Sequence, residues 1–142
     1  MYINYNYYMN NKKTKIPLII ISKDMTSDSK NILKDIIELI NDKKITYVIL
    51  NNSEYYLYVH NHEFVKVAYE QALKITSCCI IIESNYESGV IKIVDNFLDL
   101  GKDILCFPNS IFNKNALFSN NLIRDGAFCI SSKYMLIEYL TS

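Results

Sequence analysis

Between residues 83 and 132 the chain alternates apolar runs of strand length with amphipathic stretches of helix length, and small-residue turns separate them. Alternation of this kind predicts β-α-β units, in which helices cover a parallel sheet. Ser88-Gly89 stands between the apolar run 79–82 and a helical stripe of Val90, Ile93, Val94, Phe97 and Leu98. Gly101 is placed as the residue just past that helix, where a left-handed backbone is needed. Asp103 opens a strand that Pro108 ends, and a long polar loop over 108–119 follows. The pattern then gives a short helix at 120–125 stopped by Gly126, a short strand at 128–130, and a last helix capped by Ser131 or Ser132.

The first half continues the theme. The run IPLIIIS at 16–22 is uniformly apolar, as expected of a strand buried on both faces. Ser27 or Asp28 is suited to cap the helix after it, whose stripe is Ile32, Leu33, Ile36, Ile37, Leu39 and Ile40. TYVIL at 46–50 and the run 77–83 predict two further strands. YYLYV at 55–59 fits either a strand or a tyrosine-rich surface segment. From Asn61 the spacing of Phe64, Val67, Ala68, Ala72, Leu73 and Ile75 predicts a helix. The expected architecture is a three-layer, Rossmann-like α/β domain: an open, mostly parallel sheet with helices on both faces. It is expected to occupy residues 16–142, after a low-complexity, flexible tail at 1–15.

Composition excludes several classes. Fifteen basic residues balance fifteen acidic ones in the 142-residue chain, so no global field draws it to polyanions. Cys78, Cys79, Cys106 and Cys129 form no C-x-x-C pair and lie in apolar surroundings, which predicts free thiols in a reducing cytosol. No apolar run is long enough to span a bilayer and no secretory signal is present, so a soluble, cytoplasmic protein without a membrane partner is expected. Three glycines in all leave no room for a dinucleotide fingerprint or a P-loop. His60-x-His62 lacks the further ligands a metal site needs, and no nucleophile elbow occurs. Neither metal, cofactor nor catalytic residue is therefore assigned.

What remains points to binding. Ser88-Gly89 reads either as a phosphate cradle at a helix N-terminus or as a plain strand-to-helix turn. Asn120-Asn121 reads as a ligand contact or a helix cap. Lys102, Lys114 and Arg124 read as a basic rim or as dispersed surface charge. The twelve tyrosines offer stacking surfaces for bases or fill the edge of the core.

The order of these motifs resembles the DNA-processing protein A (DprA/Smf) family. Members carry a strand, S-G-S/T, a helix, G-R/K followed by an apolar strand and P-G, then a polar loop ending in G-T/S-N-x-L-I-x-x-G-A. This chain has Glu87-Ser88-Gly89, then Gly101-Lys102-Asp103-Ile104-Leu105-Cys106-Phe107-Pro108-Asn109, then Phe118-Ser119-Asn120-Asn121-Leu122-Ile123-Arg124-Asp125-Gly126-Ala127. IIISK at 19–23 is similar to the family's first strand and G-S-R turn, with Ser22 at the serine, Lys23 at the arginine and Ile21 at the glycine. The S-G-x-A-x-G-I-D signature and the R-x-x-R-N-R stretch are absent, and no winged-helix extension is expected within these 142 residues.

The resemblance implies a shortened, degenerate Rossmann-like domain that binds single-stranded DNA and helps load a RecA-type recombinase during DNA uptake, as a homo-oligomer and without catalysis. It places the surviving contacts at Ser22, Lys23, Ser88, Gly89, Asn120 and Arg124. Two rivals stay open: a scaffold that kept the fold and lost the ligand, and a small-nucleotide sensor or hydrolase using Glu83 or Glu87 as its acid.

Overall fold

Strand β1, Pro17–Ile20, is buried along its whole length because it lies mid-sheet with helices above and below. The computed structural model describes residues 14–59 and 64–142. The tail expected at 1–15 lies mostly outside the described residues, as does the His60-x-His62 pair. After β1 come helix α1 (Ser27–Asp42), strand β2 (Tyr47–Asn51), strand β3 (Glu54–Tyr58) and strand β4 (Val65–Val67). Then follow helix α2 (Tyr69–Ile75), strand β5 (Cys78–Ile81), helix α3 (Ser88–Asp99) and strand β6 (Asp103–Cys106). A 3-10 turn at Lys114–Ala116 leads into helix α4 (Leu117–Arg124), strand β7 (Phe128–Cys129) and helix α5 (Lys133–Thr141).

The strands form one sheet in the order β4-β3-β2-β1-β5-β6-β7. All pairings from β2 through β7 across β1 are parallel, and β3 and β4 add an antiparallel edge. The mostly parallel α/β expectation is met. Alternate residues of each strand feed two cores. Leu18, Ile20, Cys79 and Ile81 meet Ala72 of α2, Phe97 of α3 and Phe118 of α4 on one face. Ile19, Ile49, Ile80 and Leu105 meet Ile36 and Ile40 of α1 and Leu136 and Leu140 of α5 on the other.

Three local expectations are corrected. The segment after Asn61 is not helical at once: Val65 and Val67 pair with Leu57 and Tyr55 in β4, and the helix starts only at Tyr69. β3 itself is joined to β2 by a separate hairpin turn at Asn52 and Ser53, whose φ values of 51° and 65° make the two-residue turn that suits strand twist. Thr26, not Ser27 or Asp28, caps α1, its hydroxyl accepting the Ser29 N–H. Asn120 lies inside α4, which starts three residues earlier, so it caps nothing. Ser132 does cap α5, accepting from Met135 N–H, and Gly101 has the expected positive φ of 70°.

Candidate functional site

The connections that leave β1 and β5 carry their helices to opposite faces of the sheet, α1 to one and α3 to the other. Between two such neighbours the loops diverge, and a crevice opens beyond the C-terminal ends of the strands. A cavity of about 770 Å³ lies there. Its floor is Ile20 and Leu50, one wall is the β2–β3 hairpin with Asn52, Ser53 and Tyr55, and the other is the first turn of α3 with Glu87 and Gly89. The volume suits a ligand of nucleotide size.

Its chemistry is cationic on one side. Lys23, Lys30 and Lys92 line it against the single carboxylate of Glu87, in a chain of zero net charge. None of the three is in an ion pair among the described residues. Helix α3 adds its own partial charge. No side chain caps it, and its first internal bond runs from the Ile91 N–H to the Glu87 carbonyl (2.9 Å). The N–H groups of Ser88, Gly89 and Val90 are thereby left free for an acceptor at the helix end. A Cβ built on Gly89 meets nothing within 4 Å, so the backbone there is open to approach.

The opposite wall is aromatic. The rings of Tyr55 and Tyr69 lie 5.3 Å apart between centroids at 36°. Burial, reinforced by the neighbouring Tyr69 and Cys79, pushes the Tyr55 phenol up to about 12, so it stays a hydrogen-bond donor at neutral pH. Asn96 Nδ2 donates to the Tyr69 hydroxyl at 2.6 Å and fixes that ring.

A smaller side cavity of about 150 Å³ sits behind Ser22 and is lined by Asp24, Glu83, Asn85, Tyr86, Glu87 and Asn115. Ser22 separates the two. It is 7% exposed, and its Oγ is shut off from solvent with no hydrogen-bond partner among the described residues.

Glu83 is a tie, not a free acid. Its Oε2 accepts from the hydroxyls of Thr26 and Ser29, both at 2.9 Å, and from the Asn113 amide at 2.7 Å. Its Oε1 accepts the Thr26 N–H at 2.7 Å. Burial alone raises the carboxyl, but these donors outweigh it and hold the group below its ordinary value.

The structure brings Ser22, Lys23 and Gly89 to one cleft, with Ser88 between two of its lining residues. It does not bring Asn120 or Arg124 to that cleft. Asn120 clamps the loop after β6, accepting the Asn109 N–H at 3.1 Å and donating to the Asn109 carbonyl at 3.2 Å. Arg124 ends α4 and pairs with its neighbour Asp125 at 3.2 Å on the exposed surface, and it does not line the cleft. Lys102 is also no rim residue. It is partly buried at the start of β6, where its ammonium donates to the carbonyls of Leu73 and Thr76 at the end of α2.

The residues that sequence reasoning missed are Lys30, Tyr55 and Tyr69. They reach the cleft from three different elements, Lys30 from α1, Tyr55 from β3 and Tyr69 from the start of α2, and the pairing of β3 with β2 carries Tyr55 there. Among the described residues no His/Cys/Asp/Glu cluster could hold a metal ion and no helix is long and apolar enough to cross a membrane.

A doubly covered parallel sheet with an anion-receptive crevice at its switch point defines a Rossmann-like binding domain. The sequence profile of the DNA recombination-mediator protein A family matches residues 69–141, just over half of the chain, and the chain belongs to that family. Among solved structures it is similar to DNA processing protein A of Helicobacter pylori, determined for insight into that protein's single-stranded DNA binding mode. The two superpose with a TM-score of 0.62 at 13% identity, over 94% of this chain and 84% of that one. No curated protein sequence matches the chain.

Proposed function

We propose that this protein binds single-stranded DNA in the crevice between β1 and β5, as a recombination mediator that helps load a RecA-type recombinase in the cytoplasm. The observation that carries the reading is the cleft itself. Three unpaired lysines and the open end of α3 suit phosphate, and the Tyr55–Tyr69 wall suits a base. Family membership and the likeness to a single-stranded DNA-binding relative support the choice of ligand. The role is one of binding, without a bond made or broken.

Binding by lysines and helix amides, without bidentate arginines, should be modest and strongly dependent on salt. Lys23 brings charge to the phosphate from the loop after β1, beside Ser22, and the backbone N–H groups of Ser88 and Gly89 hold the phosphate. Asn120 acts only by fixing the loop after β6, and Arg124 has no part in this cleft. Self-association through the exposed β7 edge would join two such domains in one continuous sheet. Fluorescence anisotropy with a labelled oligonucleotide over a salt series tests the reading. Affinity falling steadily as salt rises is expected, and no binding even at low ionic strength would refute it.

A further inference from the structure

The loop between β6 and α4 presents two adjacent large apolar side chains to water at its tip. Ile111 is 81% exposed and Phe112 is 87% exposed, the highest values among the large hydrophobic residues described. A floppy loop would fold such groups back onto the protein, but this loop is pinned on both sides of the tip. Asn120 clamps Asn109 through backbone N–H and carbonyl, and Asn113 Nδ2 donates to Glu83 at 2.7 Å. Within the tip the Phe112 N–H donates to Ser110 Oγ and the Asn113 N–H to the Ser110 carbonyl. The protein thus spends several hydrogen bonds to hold an apolar pair in solvent.

The tip lies close to the cleft. Three residues beyond Phe112, Asn115 Nδ2 donates to the Asp24 carbonyl at 3.0 Å, and Asp24 follows the cleft lysine Lys23. Lys114, two residues from Phe112, is exposed and unpaired with any acid among the described residues. An aromatic face, an aliphatic wedge and a free ammonium within four residues match the repeat of a single strand, base and then phosphate.

We propose that Ile111 and Phe112 form a stacking platform for bases of the strand where it runs out of the cleft, with Lys114 meeting the adjoining phosphate. This rests on the reading that the cleft holds single-stranded DNA, and it extends the footprint beyond the cleft by a nucleotide or more.

The test pairs a protein change with a DNA change. Phe112→Ala should weaken binding of a 20-nucleotide oligonucleotide roughly tenfold, as base–aromatic stacking is usually worth, while Phe112→Trp retains it. Oligonucleotides with an abasic site placed in turn along the strand should reveal one position at which the loss matches that of Phe112→Ala and adds nothing to it. Undiminished binding by Phe112→Ala, with the unaltered protein binding DNA, overturns the platform and leaves the cleft reading intact. No binding by the unaltered protein overturns both. Self-association that Phe112→Ala abolishes, without change in DNA affinity, would assign the tip to a second copy of the chain and also overturn the proposal.

Discussion

Glu83 and Thr26 are joined twice: the Thr26 N–H donates to one carboxylate oxygen at 2.7 Å and its hydroxyl to the other at 2.9 Å. One residue follows β5 and the other caps α1, so the pair locks together the two connections that diverge around the cleft. Asn113 and Asn109 add the loop after β6 to the same carboxylate. The crevice therefore has a frame that does not depend on ligand.

Replacing that carboxylate should be costly and should show in acid. The folded-state value of Glu83 lies below its ordinary 4.5, so its stabilisation is full above that value and is lost as pH falls through the lower, folded one. Glu83→Gln puts an amide donor among donors and should cost about 2 kcal/mol at pH 7. Melting temperatures from pH 7 to pH 3 should converge for the two proteins; a constant gap across that range would contradict the tie.

Gly89 separates folding from binding. Its surroundings are open, so Gly89→Ala should leave the melting temperature unchanged or slightly raised. Gly89→Leu should also fold but obstruct the mouth of the cleft, and oligonucleotide affinity should drop severalfold. Full affinity in a folded Gly89→Leu protein would mean that the helix end is not a contact.

The thiols divide by burial. Desolvation pushes Cys78 and Cys106 up to about 12 and Cys79 well above its ordinary value, whereas Cys129 is exposed on the edge strand. A colorimetric thiol reagent should label one cysteine quickly in native protein and four after unfolding. Two or more fast thiols would show that the sheet opens readily.

The ammonium of Lys102 serves the fold at the far edge of the sheet. Its bonds to the Leu73 and Thr76 carbonyls finish α2, and the Phe97 ring lies 5.7 Å away. Lys102→Met should lower stability by about 1–2 kcal/mol and leave DNA affinity alone. A loss of affinity without a loss of stability would restore the rim reading.

The fold was legible where local pattern and tertiary environment agree. Uniform runs such as 78–81 are buried on both faces, and the caps at Gly101 and Ser132 follow from backbone need. The antiparallel edge was not, because the turn from β2 to β3 is Asn52-Ser53, without glycine, and because Val65 and Val67 of β4 also fit a helical stripe that continues to Ala72. The site was half legible. Ser22, Lys23, Ser88 and Gly89 sit at strand ends or a helix start, positions that sequence order alone identifies. Lys30, Tyr55 and Tyr69 come from α1, β3 and α2, elements that only the tertiary fold brings together, and Arg124 stands at the opposite end of α4 from its start, outside the cleft lining. The glycine the family has before Ser22 is Ile21 here, and the buried Ser22 hydroxyl has no hydrogen-bond partner among the described residues.

The most direct test of the account is a charge reversal inside and outside the cleft. Oligonucleotide affinity at low salt should be measured for the unaltered protein, for Lys23→Glu/Lys92→Glu, and for the control Lys43→Glu at the far end of α1. Loss of most affinity in the cleft variant, with the control little changed and both melting as the parent does, is the predicted result. Equal affinity in all three would contradict the assignment of the β1–β5 crevice as the DNA-binding site.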